Sequence, residues 1–364
     1  IGCPSPRSVQ SSFGLRLWDL GGASVWHDEA WSIRAIRDPI GTPDDNTPPL
    51  YYSLMHLLYR GAGDSAFALR YGSTLIDMVT VALAMRLARA WGHWDAAILA
   101  GALFGASPLL WAYAREIRAY VLVPLLALAI LFLAERLLQP GERFRWLVWL
   151  ALLVAEIALL YSHNLSVPVV GWLNLVVTGV WLVTRRWRHL AIWIGGQALA
   201  LALYLPWLLS QSPSGTPLNT PPALTLNLSW DIWRAYFAPV PALVGAELEL
   251  NIASAIFALV MVLACAALLI RCRTRATLLI LSQAILLPAL ATVELHVAHI
   301  DFHPRYFIAG VPAALLVVAL GLGCLPDDLG LRRVALAGGL AVAAATAAAS
   351  LNAILAHPRY QHDD

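Results

Sequence analysis

Long apolar runs, separated by short polar connections, fill the sequence from residue 66 almost to its end. A helix needs about 20 apolar residues to cross the hydrocarbon core of a bilayer, and each run approaches that length. The sequence therefore predicts an all-α fold, a polytopic transmembrane bundle of about ten spans. The runs lie at about residues 66–88, 96–113, 119–138, 146–162, 165–184, 189–209, 252–270, 276–294, 306–325 and 333–355.

The overall composition agrees with a membrane protein. Hydrophobic residues make up 60% of the chain and charged residues only 13%, whereas a soluble domain is nearer about 45–50% apolar and about 25% charged. All 24 basic residues are arginine. The sequence contains neither a P-loop nor a dinucleotide-binding motif, and nothing in it indicates nucleic acid as a partner.

The four cysteines, Cys3, Cys265, Cys272 and Cys324, show no CxxC spacing. Cysteine in an apolar run behaves as a small hydrophobic residue. We therefore interpret the four as packing residues rather than as a disulfide or metal framework.

Arginines are concentrated in every second connection between the apolar runs. The positive-inside rule assigns such connections to the cytoplasm. The remaining connections, which carry nearly all of the other polar clusters, then face outward, so we expect any chemistry at the outer surface. The arginines assigned to the cytoplasm are Arg86, Arg89, Arg136, Arg143, Arg145, Arg185, Arg186, Arg188, Arg271, Arg273, Arg275, Arg332 and Arg333.

The first outer loop is unusually acidic for so apolar a chain. It contains Asp28 and Glu29 within the sequence WHDEAW, and then Asp44 and Asp45 shortly before a PPLYY sequence. A carboxylate can act as a general base when a partner orients it, which is the role that we consider for Asp28 with Glu29. The alternative is a solvated loop in which acids begin a helix. Helix capping is the stronger alternative for the second acidic pair.

The segment that follows this loop, from Pro48 to Arg60, has leucines on one face and aromatic and polar residues around it. This pattern predicts a short helix lying in the membrane interface.

A second polar cluster lies in the sequence YAREIRAY, where Arg115 and Arg118 flank Glu116, with Tyr120 beyond them. Two guanidinium groups on the outer side run against the positive-inside trend. They form either an internal salt-bridge cluster or a clamp for a phosphate group, which planar arginine binds well. The sequence alone leaves both interpretations open.

Histidines add to the outer set. His163 lies in one outer connection, and His303 and Arg305 belong to a segment with three histidines, an aspartate and an arginine within ten residues. A single histidine at the end of a span is usually an interfacial residue. No zinc-binding spacing is met cleanly, so a divalent metal stays an open alternative.

Several of these sequences, taken in order, resemble the GT-C superfamily of membrane glycosyltransferases. The nearest group comprises the dolichyl-phosphate-mannose–protein mannosyltransferases and the aminoarabinose transferase of lipid A. The resemblance covers residues 16–364. It is carried by DEAWS at 28–32, PPLYY at 48–52, ALR at 68–70, SP at 107–108, REIRAY at 115–120, YSH at 161–163 and RY at 305–306.

The resemblance implies the chemistry and the roles of the residues. It implies transfer of a sugar from a polyprenyl-phosphate donor to a hydroxyl of a protein, lipid or glycan acceptor. Asp28 matches the catalytic acidic position and Glu29 its neighbour, and Arg115 and Arg118 match charged positions near the donor phosphate. Many relatives have His or Lys directly before the two prolines, whereas this chain has Thr47.

We therefore predict a multi-pass glycosyltransferase of a prokaryotic cytoplasmic membrane, with its site on the extracytoplasmic face. We expect one domain over residues 1–364, as a fragment that lacks an N-terminal span and a C-terminal extracytoplasmic part. The proposed base is Asp28, supported by Glu29. The predicted phosphate ligands are Arg115, Arg118 and Arg305, and the predicted supporting residues are Asp45, Glu116, Tyr120, His163 and His303.

Two other classes fit parts of the sequence. A lipid-sugar flippase or transporter would need ionisable groups within the bilayer, for which Asp77 and Glu156 are the candidates. A scaffold without catalytic activity is the third alternative.

Overall fold

A computed structural model describes residues 13–14, 16–22, 24–39, 47–141, 143–210, 230–231, 247–298, 303–326 and 330–356. The described residues form thirteen α-helices and no strand. The α-helices are α1 (His27–Arg37), α2 (Leu50–Ala62), α3 (Ala66–Trp91), α4 (Trp94–Ala106), α5 (Pro108–Ala114), α6 (Leu122–Leu137), α7 (Trp146–Leu160), α8 (Val167–Val183), α9 (Trp187–Ser210), α10 (Glu247–Arg271), α11 (Arg275–Val297), α12 (Val311–Gly323) and α13 (Leu331–Ala356).

Each predicted apolar run is helical, so the all-α fold class is confirmed. Four helices are long and apolar enough to cross a membrane. They are α3, α9, α11 and the helical segment Ala119–Leu137, which includes α6. The number rises to five if the bent pair α4–α5 counts as one span. The prediction of ten spans is not confirmed. Helices α7, α8 and α12 contain only 15, 17 and 13 residues, which is less than the length that a span of the bilayer requires.

Helix α12 lies at the centre of the bundle. Each of its 13 residues is buried, and it packs against α3, α4, α6, α10, α11 and α13. A helix that is apolar on all sides can be buried in this way among other helices. The approach to α10 is very close, because a Cβ atom added to Gly321 would lie 2.5 Å from the Cβ of Ala264.

A break between α4 and α5 changes the direction of the chain just before residues 115–118. Ser107 and Pro108 interrupt the helix, and the two parts differ in direction by 59°. Proline is well suited to the first position of α5, because a backbone N–H at this position would have no partner within the helix. The seven residues of α5 then lead directly into residues 115–118.

Connections that were predicted to share a membrane face also lie together in the fold. At one end of α6, Arg275 donates to the carbonyl oxygen of Leu138, and Arg186 donates to that of Gly141 at 2.6 Å. At the other end, the 3₁₀ helix Ala119–Val121 lies beside His163. The arginine-rich connections and the proposed site therefore lie at opposite ends of the bundle.

The interpretation of the cysteines was wrong for one pair. Cys272 and Cys324 form a disulfide between the ends of α10 and α12, with their Cα atoms 6.7 Å apart. The two residues are 52 positions apart in the sequence, so local spacing could not indicate the pairing. Cys265 is free, and Cys3 lies outside the described residues.

The segment that was predicted to form an interfacial helix is helical and forms α2. Its side chains Tyr51, Tyr52 and Met55 are buried, whereas Leu54 and Leu57 are exposed. The buried side chains belong to a second, smaller hydrophobic core formed with α1, α3 and residues 117–122. This small core lies beneath the site and joins the acidic loop to the REIRAY segment.

Candidate functional site

Helix α1 carries both predicted catalytic acids, but it places them differently. Glu29 is almost completely buried. Its carboxylate accepts hydrogen bonds from Nε of Arg70 at 2.9 Å and from Nη2 of Arg70 at 2.5 Å. The same carboxylate accepts the backbone N–H of Ile117 at 3.1 Å. Arg70 also donates to the carbonyl oxygens of Leu20 and Ser24. Glu29 thus joins α1, α3 and the REIRAY segment.

Asp28 is partly open to solvent. Its side chain is 30% exposed, and its carboxylate lies 3.6 Å from a guanidinium nitrogen of Arg118. Arg118 also donates to the hydroxyl of Ser32 at 3.4 Å. The carboxylate of Asp28 is therefore accessible from outside the protein and lies beside a cation.

The guanidinium of Arg115 turns away from these acids. It donates to the carbonyl oxygens of Arg16 at 3.1 Å, Trp18 at 2.5 Å and Asp19 at 3.4 Å. It also lies over the ring of Trp111, 4.9 Å from the centroid. Burial lowers the pKa of Arg115 to about 10, although Asp19 opposes this effect. These contacts account for Arg115 as an anchor of the loop, and they leave Arg118 and Arg305 facing the site.

The ring of Tyr120 lies at the centre of the remaining cluster. The guanidinium carbons of Arg118 and Arg305 lie 5.8 and 5.7 Å from its centroid. The imidazole of His163 is 4.5 Å away between centroids, and the ring of Tyr113 is 4.9 Å away. Three connections that are distant in the sequence therefore meet at one aromatic side chain.

Arg305 has open hydrogen-bonding capacity. Its Nε is buried and has no hydrogen-bond partner among the described residues. No ion pair within this part of the chain includes Arg305, and its ring contacts are to Tyr120 and Tyr306. A guanidinium group that is held by aromatic rings and not by a carboxylate is well suited to bind an anion.

The charges around this cluster alter the titration of two neighbours. Burial raises the pKa of Glu116 to about 8; Glu29 adds to this shift, and Arg118 opposes it. Burial also lowers the pKa of His163 to about 3, together with Arg118 and Arg305. At neutral pH Glu116 is therefore largely protonated and His163 is neutral, so that the charges at this cluster are those of the two arginines and of the nearby Asp28 and Glu29.

The other predicted supporting residues are less central. Nδ1 of His303 accepts the backbone N–H of Arg305 at 3.3 Å, and burial, followed by the charge of Arg305, lowers the pKa of His303 to about 4. Asp45 lies outside the described residues. Within the described ranges, no group of three His, Cys, Asp or Glu side chains could hold a metal ion.

The acids that a transporter would use each have a partner within the protein. Asp77 pairs with Arg16 at 2.5 Å, and both side chains are buried. Oε2 of Glu156 accepts a hydrogen bond from Gln197 at 2.8 Å, whereas its Oε1 is buried without a partner among the described residues. Asp77 is therefore fully engaged in an ion pair, and Glu156 only in part.

A small, mainly apolar cavity of about 10 Å³, which is room for about one water molecule, lies next to the arginine cluster. It opens between α8, α11 and the 3₁₀ helix Pro304–Phe307, which carries Arg305. Its lining residues are Pro168, Leu287, Ala291, Tyr306, Phe307, Ala309 and Gly310.

Solved structures share this fold. ArnT from Cupriavidus metallidurans bound to undecaprenyl phosphate matches with a TM-score of 0.67 at 16% identity, over 98% of this chain and 76% of that one. The apo form of ArnT matches with a TM-score of 0.60 at 16% identity, over 90% of this chain and 61% of that one. An Archaeoglobus fulgidus oligosaccharyltransferase, in complex with zinc and sulfate, matches with a TM-score of 0.58 at 13% identity, over 95% of this chain and 52% of that one.

Both neighbours are GT-C glycosyltransferases, so the fold that the resemblance implied is confirmed. The chain spans only about three fifths of the apo ArnT chain and half of the oligosaccharyltransferase. No family model matches the sequence, and no curated protein matches it.

Proposed function

We propose that this protein is a membrane glycosyltransferase that uses a polyprenyl-phosphate sugar as its donor. The sugar would pass to a hydroxyl of a protein, lipid or glycan acceptor at the extracytoplasmic face of a prokaryotic cytoplasmic membrane. The orientation rests on the arginine distribution. The function rests on the site and on its likeness in fold to glycosyltransferases, one of which was solved with undecaprenyl phosphate bound.

One observation carries the proposal. The guanidinium carbons of Arg118 and Arg305 lie 5.8 and 5.7 Å from the centroid of the Tyr120 ring, and Arg305 Nε has no partner among the described residues. An anion in contact with both guanidinium groups would receive charge-assisted hydrogen bonds. The apolar side chains that line the small cavity beside Arg305 provide a hydrophobic surface next to this position. A phosphate that carries a hydrophobic tail satisfies both features.

The proposed reaction is a single displacement. The acceptor oxygen attacks the anomeric carbon while the bond between that carbon and the phosphate oxygen breaks, and the electron pair of this bond remains with the phosphate. Asp28 takes the proton of the acceptor hydroxyl. Arg118 and Arg305 stabilise the charge that develops on the departing phosphate. Glu29 holds α1, and hence Asp28, against the REIRAY segment through Arg70 and Ile117.

A binding experiment tests the phosphate site separately from the unknown acceptor. Purified protein in detergent is titrated with undecaprenyl phosphate and with undecaprenol, which lacks the phosphate. We expect tight binding of the phosphate and at least tenfold weaker binding of the alcohol. Equal affinity for the two lipids would contradict a phosphate site at Arg118 and Arg305.

A transfer assay tests the reaction itself. Radiolabelled sugar transfer is measured from a panel of polyprenyl-phosphate sugars to protein, lipid and glycan acceptors. Transfer by the parent protein supports the proposal. Failure over the whole panel, with intact binding of the lipid phosphate, would instead favour a protein that binds lipid-linked sugars without transferring them.

A further inference from the structure

The ion pair between Arg16 and Asp77 is the most deeply buried charge pair with both partners among the described residues. Nε of Arg16 lies 2.5 Å from the Asp77 carboxylate, and the two side chains are 0% and 3% exposed. Asp77 lies within α3, one of the four membrane-spanning candidates. Burying two charges costs about as much free energy as their attraction returns, so such a pair is seldom explained by stability alone.

Arg16 also binds the end of the broken helix. Its guanidinium donates to the carbonyl oxygen of Gly105 at 2.9 Å and to that of Phe104 at 3.3 Å. These carbonyl groups belong to the last turn of α4, where a helix has no partners of its own for them. Water is scarce in such an environment, so a side chain must satisfy these groups. Arg16 thereby fixes the point at which α5 departs.

The same arginine reaches the site through its backbone. Its carbonyl oxygen accepts a hydrogen bond from Arg115 at 3.1 Å, and Arg115 begins the segment that carries Glu116 and Arg118. A further contact fixes the far end of α5, where the hydroxyl of Thr74 donates to the carbonyl oxygen of Ala114 at 3.0 Å. The chain of contacts runs from Asp77 through Arg16 to Arg115 without interruption.

We propose that the Arg16–Asp77 pair is a positioning unit that fixes residues 115–118, and therefore Arg118, relative to Asp28. Asp77 orients the guanidinium of Arg16, Arg16 holds both the α4–α5 break and Arg115, and the direction of α5 sets the place of Arg118. This inference rests on the proposed function for its effect on activity, but its structural part does not. It assigns to Asp77 the role of a positioning residue, not that of a transport carboxylate.

Hydrogen exchange measures the structural part directly. The amide of Ile117 is protected by its bond to Glu29 in the parent protein. We expect Asp77→Asn to increase the exchange of this amide at least tenfold while the amides of α12 remain protected. Asp95→Asn is the matched control, because Asp95 lies in the first turn of α4, at the end opposite the carbonyl groups that Arg16 binds, and pairs with Arg332. Unchanged exchange at Ile117 in a folded Asp77→Asn variant would overturn the inference.

Donor kinetics measure the functional part. Displacing a binding group by about 1 Å can cost about 100-fold in rate, so we expect Asp77→Asn to lower kcat/KM by about 10- to 100-fold and Asp95→Asn to leave it unchanged. Asp77→Glu should recover part of the loss. If Asp77→Asn does not fold, Asp77→Glu and Arg16→Lys are measured instead, and parental exchange and kinetics in both would overturn the inference. The two proposals can fail separately. If the parent protein shows no sugar transfer, but its Ile117 amide is protected and becomes exposed in Asp77→Asn, only the proposed function is contradicted.

Discussion

Arg70 and Glu29 form a buried, bidentate ion pair in which both carboxylate oxygens are occupied. The pair explains why neighbouring acids in the sequence have different roles. Glu29 points into the protein and holds three segments together, whereas Asp28 remains accessible at the edge of the site. Within the acidic pair, Glu29 therefore has a structural role, and Asp28 is available for the chemistry that we propose.

Glu29→Gln should destabilise the protein strongly. The substitution leaves Arg70 buried without a counter-charge, and breaking a buried pair in this way costs about 3–5 kcal/mol. Thermal unfolding in detergent measures the effect. Asp64→Asn is the matched control, because Asp64 pairs with Arg37 at the surface, where ion pairs contribute little. Equal unfolding temperatures of the two variants would contradict the structural role of Glu29.

Asp28→Asn should abolish most transfer without abolishing donor binding. The asparagine keeps the shape of the side chain but cannot accept the proton, and general-base assistance contributes about 10²–10⁴-fold. Initial rates of sugar transfer measure the loss, and titration with undecaprenyl phosphate measures binding. Asp38→Asn, at the exposed end of the same helix, serves as the control. Parental rates in Asp28→Asn would remove Asp28 as the base.

Arg305→Ala should weaken binding of undecaprenyl phosphate by about 10- to 100-fold. Hydrogen bonds to charged groups contribute about 1.5–3 kcal/mol, and about 1.4 kcal/mol corresponds to a tenfold change. Arg305→Lys should recover only part of the affinity, because lysine lacks the planar fork. Arg34→Ala removes an exposed arginine of α1 and should change nothing. A parental dissociation constant in Arg305→Ala would rule out the proposed phosphate clamp at this residue.

Donor binding should weaken as the pH rises above about 8. Glu116 is neutral below its raised pKa of about 8 and negative above it, so deprotonation adds a further negative charge near the phosphate. At a separation of about 10 Å and an effective dielectric constant of about 20, this repulsion is about 1–2 kcal/mol, or about tenfold in affinity. Titrations between pH 6.5 and about pH 9.5 measure the effect. Glu116→Gln should show a flat profile, and a fall of the same size in that variant would assign the effect to another group.

The disulfide pair provides a test of orientation. Cys272 and Cys324 lie at the end that the arginine distribution assigns to the cytoplasm, and their disulfide must be reduced before either sulfur can react with a maleimide. In a background with Cys3→Ser and Cys265→Ser, and after reduction with a membrane-permeant thiol, a membrane-impermeant maleimide should label the pair only when the cells are permeabilised. A variant that also lacks this pair gives the background. Labelling of intact cells would reverse the predicted orientation and place the site on the cytoplasmic face.

The sequence predicted the helices and the grouping of polar loops, because hydropathy and charge are properties of local segments. Nine of the ten apolar runs each contain one α-helix that ends within about five residues of the predicted boundaries, and the run 96–113 is divided into α4 and α5. Partners between distant segments could not be predicted in this way. Arg70 and Arg16 were therefore missed as organising residues, although an arginine within or beside an apolar run is itself a signal that a buried partner exists.

The direction of a side chain was equally inaccessible. Arg115 and Arg118 are three residues apart and have the same chemistry, yet only Arg118 turns toward Asp28. The irregular backbone after α5 decides this difference, and no helical periodicity applies there. The spacing could group the two arginines but could not assign separate roles to them.

The shortness of α12 determines the depth at which the proposed reaction occurs. Thirteen residues of helix extend about 20 Å, about 10 Å less than the hydrocarbon thickness of a typical bilayer. When the Cys324 end of α12 reaches one surface of the membrane, the opposite end, which follows Arg305, lies beneath the other surface. A prenyl-linked phosphate that bound Arg305 would then lie below the level of the headgroups, so that the acceptor must enter from that surface to reach the reaction centre.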